Sequence, residues 1–243
     1  MNLAGRAALV TGAGQRVGQA LAVALGRERM QVAVHYNKSA DGARATKKII
    51  EAAGGKATIF QADLASPRAP GELVRKVAAS FGSLAVVVNS AAVMERTPIG
   101  TVTPKIWDAI FALNLRAPFL VSQAAAPILK SEGGAIVNVA DLAAFENWPG
   151  YIPHSISKAG VVKMTSALAR VLAPEIRVNA IAPGTVLLPA DWKPEAADHL
   201  TSTTPLERLG SPEDVVEAML YFLKSDYVTG ETIIVDGGRH VRK

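Results

Sequence analysis

Seven short apolar runs recur along the chain, and helical periodicity fills most of the ground between them. The runs are Ala7–Val10, Val32–Tyr36, Ala57–Gln61, Leu84–Asn89, Ala135–Val139, Arg177–Ile181 and Thr232–Val235. Several are apolar without alternation, the mark of strands covered on both faces. After the first run, Val17, Ala20, Leu21, Ala24 and Leu25 form one helical stripe. Ile49 and Ile50 close a second helix, which Gly54 and Gly55 terminate. Ser211, Pro212, Glu213 and Asp214 supply an N-cap, a first-turn proline and first-turn acids for a helix through Leu223. The stretch 65–83 and the Ala-rich helix after Thr103 read as structural. Strand–helix alternation without a linker predicts a single α/β domain over 1–243, a parallel sheet with helices on both faces. The longest irregular piece, 187–205, is rich in Pro and Thr and reads as a substrate loop.

Composition narrows the classes. Hydrophobic residues make up 49% of the chain, enough for a buried core. There is no cysteine, which excludes disulfides and thiolate metal sites and fits a reducing, cytoplasmic setting. The first strand begins at Ala7, leaving no room ahead of it for a signal peptide. No uninterrupted apolar run approaches the roughly 20 residues that span a bilayer, so no membrane partner is expected. The net charge is +5 and the pI about 9.5, yet Lys and Arg are scattered apart from the tail 239–243. Without a basic helix carrying interleaved aromatics, nucleic acid is not an expected partner. His35, His154, His199 and His240 never fall at metal-ligand spacing, so no metal is expected.

The chemistry begins after the first strand, where Thr11, Gly12, Ala13, Gly14, Gln15, Arg16, Val17 and Gly18 turn into the first helix. Glycines let backbone amides approach a pyrophosphate, and a helix N-terminus adds oriented N–H donors and a favourable dipole. In this strand–turn–helix context the motif predicts a Rossmann-type, doubly wound, parallel seven-stranded sheet that binds a dinucleotide. An NAD site places Asp or Glu at the end of the second strand, to hold the ribose 2′-hydroxyl. This chain reads His35, Tyr36, Asn37, Lys38 and Ser39 there, with no acid before Asp41. Arg16, Lys38 and Ser39 suit a 2′-phosphate instead, so NADP(H) is the expected cofactor.

With these residues in view, the chain resembles the short-chain dehydrogenase/reductase family over nearly its whole length. The glycine turn is one marker. Ala62, Asp63 and Leu64 match the segment whose aspartate contacts adenine, and Asn89, Ser90, Ala91 and Ala92 match its Asn-Asn-Ala-Gly stretch with substitutions. Asn114 matches the helix asparagine of the catalytic tetrad, and Ser157, Lys158, Ala159 and Gly160 match the lysine segment. Pro183 and Gly184 with the closing Asp236, Gly237 and Gly238 complete the set. The resemblance implies hydride transfer between NADP(H) and a C=O or C=N bond of a small molecule. Runner-up substrates within that class are ketones such as 3-oxoacyl thioesters or steroids. It also implies a homotetramer built on the long helices beside the site. Val161, Val162, Met164, Leu168 and Val171 could serve that contact or the internal sheet.

Within the family, four details are similar to pteridine reductases and dihydromonapterin reductases. They are Arg16 at the usual third glycine, the segment His35–Ser39, Asp141 where most members carry serine, and the ending Asp236–His240. The aromatic that stacks on the pterin in that subfamily falls at Met94, a poorer flat platform.

One departure bears on catalysis. The family's proton donor is a tyrosine four residues before the lysine, and here that position is His154. His154 and Lys158 share one helix face. A lysine ammonium disfavours a protonated imidazole, whereas a nearby Asp141 favours one. Three readings stand at this point. His154 with Asp141 donates the proton; or Asp141 or a water relay does, with Tyr151 as an auxiliary phenol; or catalysis is lost and the chain is an NADP(H)-binding or oligomeric partner. Met94, Trp148, Tyr151 and Trp192 are the expected substrate lining.

Overall fold

The computed structural model describes residues 1–188 and 194–241, and the expected substrate contact Trp192 lies outside them. Seven strands, β1 Ala7–Val10, β2 Gln31–Tyr36, β3 Lys56–Gln61, β4 Val86–Asn89, β5 Ala135–Val139, β6 Arg177–Pro183 and β7 Thr232–Val235, form one sheet. The order is β3-β2-β1-β4-β5-β6-β7 and every pairing is parallel. Successive side chains of a strand point to opposite faces, and the core divides accordingly. Ala8, Val10, Val86 and Val88 pack into one apolar cluster, Leu9 and Val87 into the other. Helices α1 Arg16–Arg27, α2 Ala40–Ala52 and α8 Pro212–Lys224 bury residues in the first cluster, and α3 Ala69–Phe81, α5 Ala117–Glu132 and α6 Ile152–Leu172 in the second. The α/β, doubly wound, seven-stranded architecture expected from the pattern is the one observed.

Three features differ from expectation. Inside the expected loop 187–205 lies a helix, α7 Pro194–Thr203. Its run of small and polar residues shows almost no apolar stripe; among its described side chains only Leu200 is buried. Helix α4 Pro104–Phe111, a π-turn Ala112–Arg116 and α5 form one 29-residue helix, long and apolar enough to cross a membrane by length and composition alone. Polar Asn114, Arg116, Ser122 and Gln123 interrupt its sequence, which hid that length. It packs against α3 and α6 of the same sheet layer. Third, Val161, Met164 and Leu168 are buried against the sheet, while Val171 at 71% exposure faces outward. Most of that stripe therefore belongs to the internal core.

Strand order reverses between β1 and β4, the place where parallel sheets open a crevice at their carboxyl ends. The two strand ends are tied there. Thr11 Oγ1 accepts the Ser90 and Ala91 amides at 3.0 and 3.1 Å.

Candidate active site

A cleft of about 1230 Å³ runs along the carboxyl edge of the sheet, from the glycine turn to Trp148 and Arg239. Every residue named from the sequence for the dinucleotide lines it, except Ala62, Asp63 and Asn89. These three are occupied elsewhere. The Ala62 carbonyl faces the His35 ring, and Asp63 Oδ1 accepts from Asn37 Nδ2 and from the Ala65 amide. Asn89 is turned into the buried layer, where its Nδ2 donates to Ser122 Oγ and Asn138 Oδ1.

The turn has the shape a pyrophosphate needs. Gly12 sits at φ 67, and a Cβ there would meet Ala91 Cα at 2.8 Å. A Cβ on Gly14 would lie 3.0 Å from the Ser39 carbonyl oxygen. Position 12 thus requires glycine and Gly14 leaves little room for a side chain, so the α1 N-terminus stays uncovered. Arg16 also adopts a left-handed backbone, φ 54, which costs a non-glycine residue on the order of 1 kcal/mol. Its guanidinium crosses to the Leu187 carbonyl at 2.9 Å, joining the turn to the segment beyond β6. At the end of β2, Lys38 and Ser39 line the cleft, and the Ser39 hydroxyl makes no cap to α2. The nearest acid along the chain, Asp41, is paired with Arg44 at 2.6 Å.

His35 lines the cleft but chiefly holds the turn from behind. Its Nδ1 accepts the Gly12 amide at 3.1 Å, which places the hydrogen on Nε2, facing the Ala62 carbonyl at 3.0 Å. Burial pushes its pKa down to about 4, partly opposed by that carbonyl.

At the other end, Asn114 does not line the cleft. It lies in the π-turn and clamps Val93 from both sides. Its Oδ1 accepts the Val93 amide and its Nδ2 donates to the Val93 carbonyl, each at 2.9 Å. The second Nδ2 hydrogen goes to Ser157 Oγ at 3.1 Å. Both amide hydrogens are thereby spent. His154 Nδ1, 3.4 Å from that nitrogen, therefore donates to the Val93 carbonyl at 3.2 Å. Its Nε2 is then aimed at Asp141 Oδ2, 3.5 Å away, outside hydrogen-bond geometry, and has no hydrogen-bond partner among the described residues. The other carboxylate oxygen accepts the Ala143 amide at 2.8 Å. With the hydrogen on Nδ1, Nε2 is the ring atom that faces the carboxylate. Both residues line the cleft, and with the His154 side chain 2% exposed and that of Asp141 25%, the carboxylate is the more open of the two.

Lys158 is buried one turn further along α6 and donates to the Val139 carbonyl at 2.8 Å. Burial pushes its pKa down to about 8, and Asp141 pulls it part of the way back. Met94, Trp148 and Tyr151 line the cleft as expected. Sequence reasoning missed the Val93 carbonyl, which is backbone and leaves no residue-type signal. It also missed Arg96, Glu146 and Arg239, of which Arg96 and Arg239 line the cleft. The glycine pair before Arg239 was the available sign that the tail turns back.

Comparison with known proteins identifies the family. The family model described as enoyl-(acyl carrier protein) reductase matches residues 12–240. The 3-oxoacyl-(acyl-carrier-protein) reductase of a Synechocystis species is 35% identical, covering 97% of each chain. Among solved structures, the angucycline C-6 ketoreductase LanV with bound NADP gives a TM-score of 0.92 at 31% identity, covering 99% of this chain and 97% of that one. A blue fluorescent protein from a metagenomic library, in complex with NADPH, gives 0.91 at 31% identity, covering 98% and 99%. The chain belongs to the short-chain dehydrogenase/reductase family.

His35 yields a pH prediction. The folded ring stays neutral down to about 4, whereas an unfolded one takes a proton below 6.5. Between those values the unfolded state binds more protons, so stability falls as pH falls. Urea denaturation should show a loss of about 3 kcal/mol across that window, and His35→Gln should flatten it.

Proposed function

We propose that the chain is an NADP(H)-dependent ketoreductase in which Asp141 and His154 together deliver the proton. The observation that carries this reading is the unpartnered, buried His154 Nε2 aimed at the more exposed Asp141 carboxylate. An imidazole is shorter than a phenol. At the tyrosine position it lines the cleft while staying almost wholly buried, and Asp141 stands where the family's hydroxyl groups would meet the substrate oxygen.

The bound dinucleotide supplies the hydride. Gly12, Gly14 and the α1 N-terminus would hold its pyrophosphate, Arg16, Lys38 and Ser39 its 2′-phosphate, and Lys158 its nicotinamide ribose. The carbonyl oxygen of the substrate rests against Asp141 Oδ2. As negative charge develops there, the proton held between Asp141 and His154 Nε2 moves to the oxygen. Lys158 Nζ keeps a positive charge buried near the carboxylate, which favours the charged form left behind. The retained lysine and open cleft favour this over a chain that only binds the dinucleotide.

Dihydropterin reduction is a second reading, favoured by Asp141 and Arg16. Met94 counts against it, half exposed where a flat ring would serve better. The ketone reading draws further support from two of the named proteins, a 3-oxoacyl-(acyl-carrier-protein) reductase and an angucycline C-6 ketoreductase. We place the protein in the cytoplasm, as a homotetramer through the α4–α5 face, where Trp107, Phe119 and Val171 of the adjoining α6 are exposed. Light scattering should return four times the monomer mass, and a monomer would remove that assembly.

The proton pathway is tested by NADPH consumption with a panel of ketones. Asp141→Asn should lower kcat about 100-fold, with NADPH affinity within about twofold of wild type. His154→Phe should cost about tenfold, because water can resupply the exposed carboxylate. Full activity in Asp141→Asn would overturn the assignment.

A further inference from the structure

The end of the cleft away from the glycine turn holds an arginine that the mechanism leaves unused. Asp236, buried at the end of β7, folds the tail back on itself. Its Oδ1 accepts the Gly238 amide at 2.9 Å, and its Oδ2 accepts the His240 amide at 2.7 Å and meets His240 Nδ1 at 2.8 Å. This turn presents Arg239 into the cleft, beside Trp148 and the strand end at Gly184. The guanidinium lies 5.9 Å from the centre of the Trp148 ring and donates from Nη1 to Thr185 Oγ1 at 3.1 Å.

Its charge is incompletely matched. Glu146 Oε2 lies 3.9 Å from Arg239 Nε, beyond hydrogen-bond reach, and already accepts the Trp148 indole N–H at 2.7 Å. Among the described residues the buried Arg239 Nε has no hydrogen-bond partner, and no hydrogen bond from Nη2 is found. A guanidinium is a planar fork of donors whose natural partner is a planar two-oxygen anion. Trp148 and Tyr151 stand edge to face, centroids 6.2 Å apart, just ahead of α6, the helix that carries His154.

We propose that the substrate is a keto acid, its carboxylate bound by Arg239 while its carbonyl lies at Asp141. This rests on the ketoreductase reading above and names the substrate class for the same cleft. The other cations of the cleft are placed differently. Arg16 and Lys38 belong to the glycine-turn end, Lys158 donates to the Val139 carbonyl and is assigned to the ribose, and Arg96 is exposed, its side chain beside Gly150.

The test is calorimetric titration with levulinate and methyl levulinate, with the protein held at saturating NADP⁺ so that no reduction occurs. NADP⁺ binding is measured first, so failure of the cofactor reading shows there and failure of this one in the acid arm. Levulinate should bind wild type about tenfold more tightly than its ester. Arg239→Gln should erase the difference by weakening levulinate alone, and Arg239→Lys should restore part of it. Arg96→Gln should leave it in place, and unchanged thermal melts establish that each variant is folded. Equal affinity in wild type, a preference that survives Arg239→Gln, or one that disappears in Arg96→Gln overturns the proposal. Binding of pantetheine phosphate with no binding of levulinate overturns it in favour of a carrier-borne substrate.

Discussion

The backbone of Val93 is the fixed point of the reacting end. Asn114 holds its amide and carbonyl at once, and that carbonyl in turn sets the hydrogen on His154 Nδ1. The asparagine can reach both groups because the helix widens into a π-turn at Ala112–Arg116, a local departure often found at functional sites. With Nδ1 committed, Nε2 faces Asp141 and nothing else. The same geometry ties α6 to the loop after β4, so His154 stands on a braced element.

The glycine turn at the opposite end is organised by the same kind of device. A buried imidazole, His35, accepts the Gly12 amide and reaches across to β3, so the turn is shaped before any phosphate arrives. Each histidine is fixed by backbone, and their surroundings give them opposite tasks. His35 has an amide N–H and a carbonyl at its two nitrogens, which satisfies a neutral ring completely. His154 has a carbonyl and a carboxylate, two acceptors, which leaves a place for one further proton. Arg16 links the ends by spanning from the turn to Leu187.

Much of this was legible in the sequence. Uninterrupted apolar runs reported strands buried on both faces, and the glycine spacing reported a turn that only missing side chains permit. What stayed hidden has physical reasons. Helix α7 lies under a pattern with almost no apolar stripe, so periodicity could not show it. Asn89 and Asn114 were placed among contact residues by resemblance, yet both point into the protein, because a polar side chain at a strand or helix crossing can satisfy buried partners instead of a ligand. Arg239 reaches the cleft only because Asp236 caps the final turn, a long-range consequence that no local window contains. The shortness of an imidazole beside a phenol was visible in the composition of one position. Its consequence, a buried Nε2 facing Asp141, needed the distances.

The central claim is that His154 carries hydrogen on Nδ1 toward Val93 and holds a second proton against Asp141. Nitrogen NMR of protein labelled at its histidines addresses it directly, with a His154→Phe spectrum to assign the signal. The account predicts a protonated Nδ1 throughout and an Nε2 resonance that moves in Asp141→Asn. A neutral ring with a bare Nδ1, its hydrogen on Nε2 and insensitive to Asp141, would contradict it.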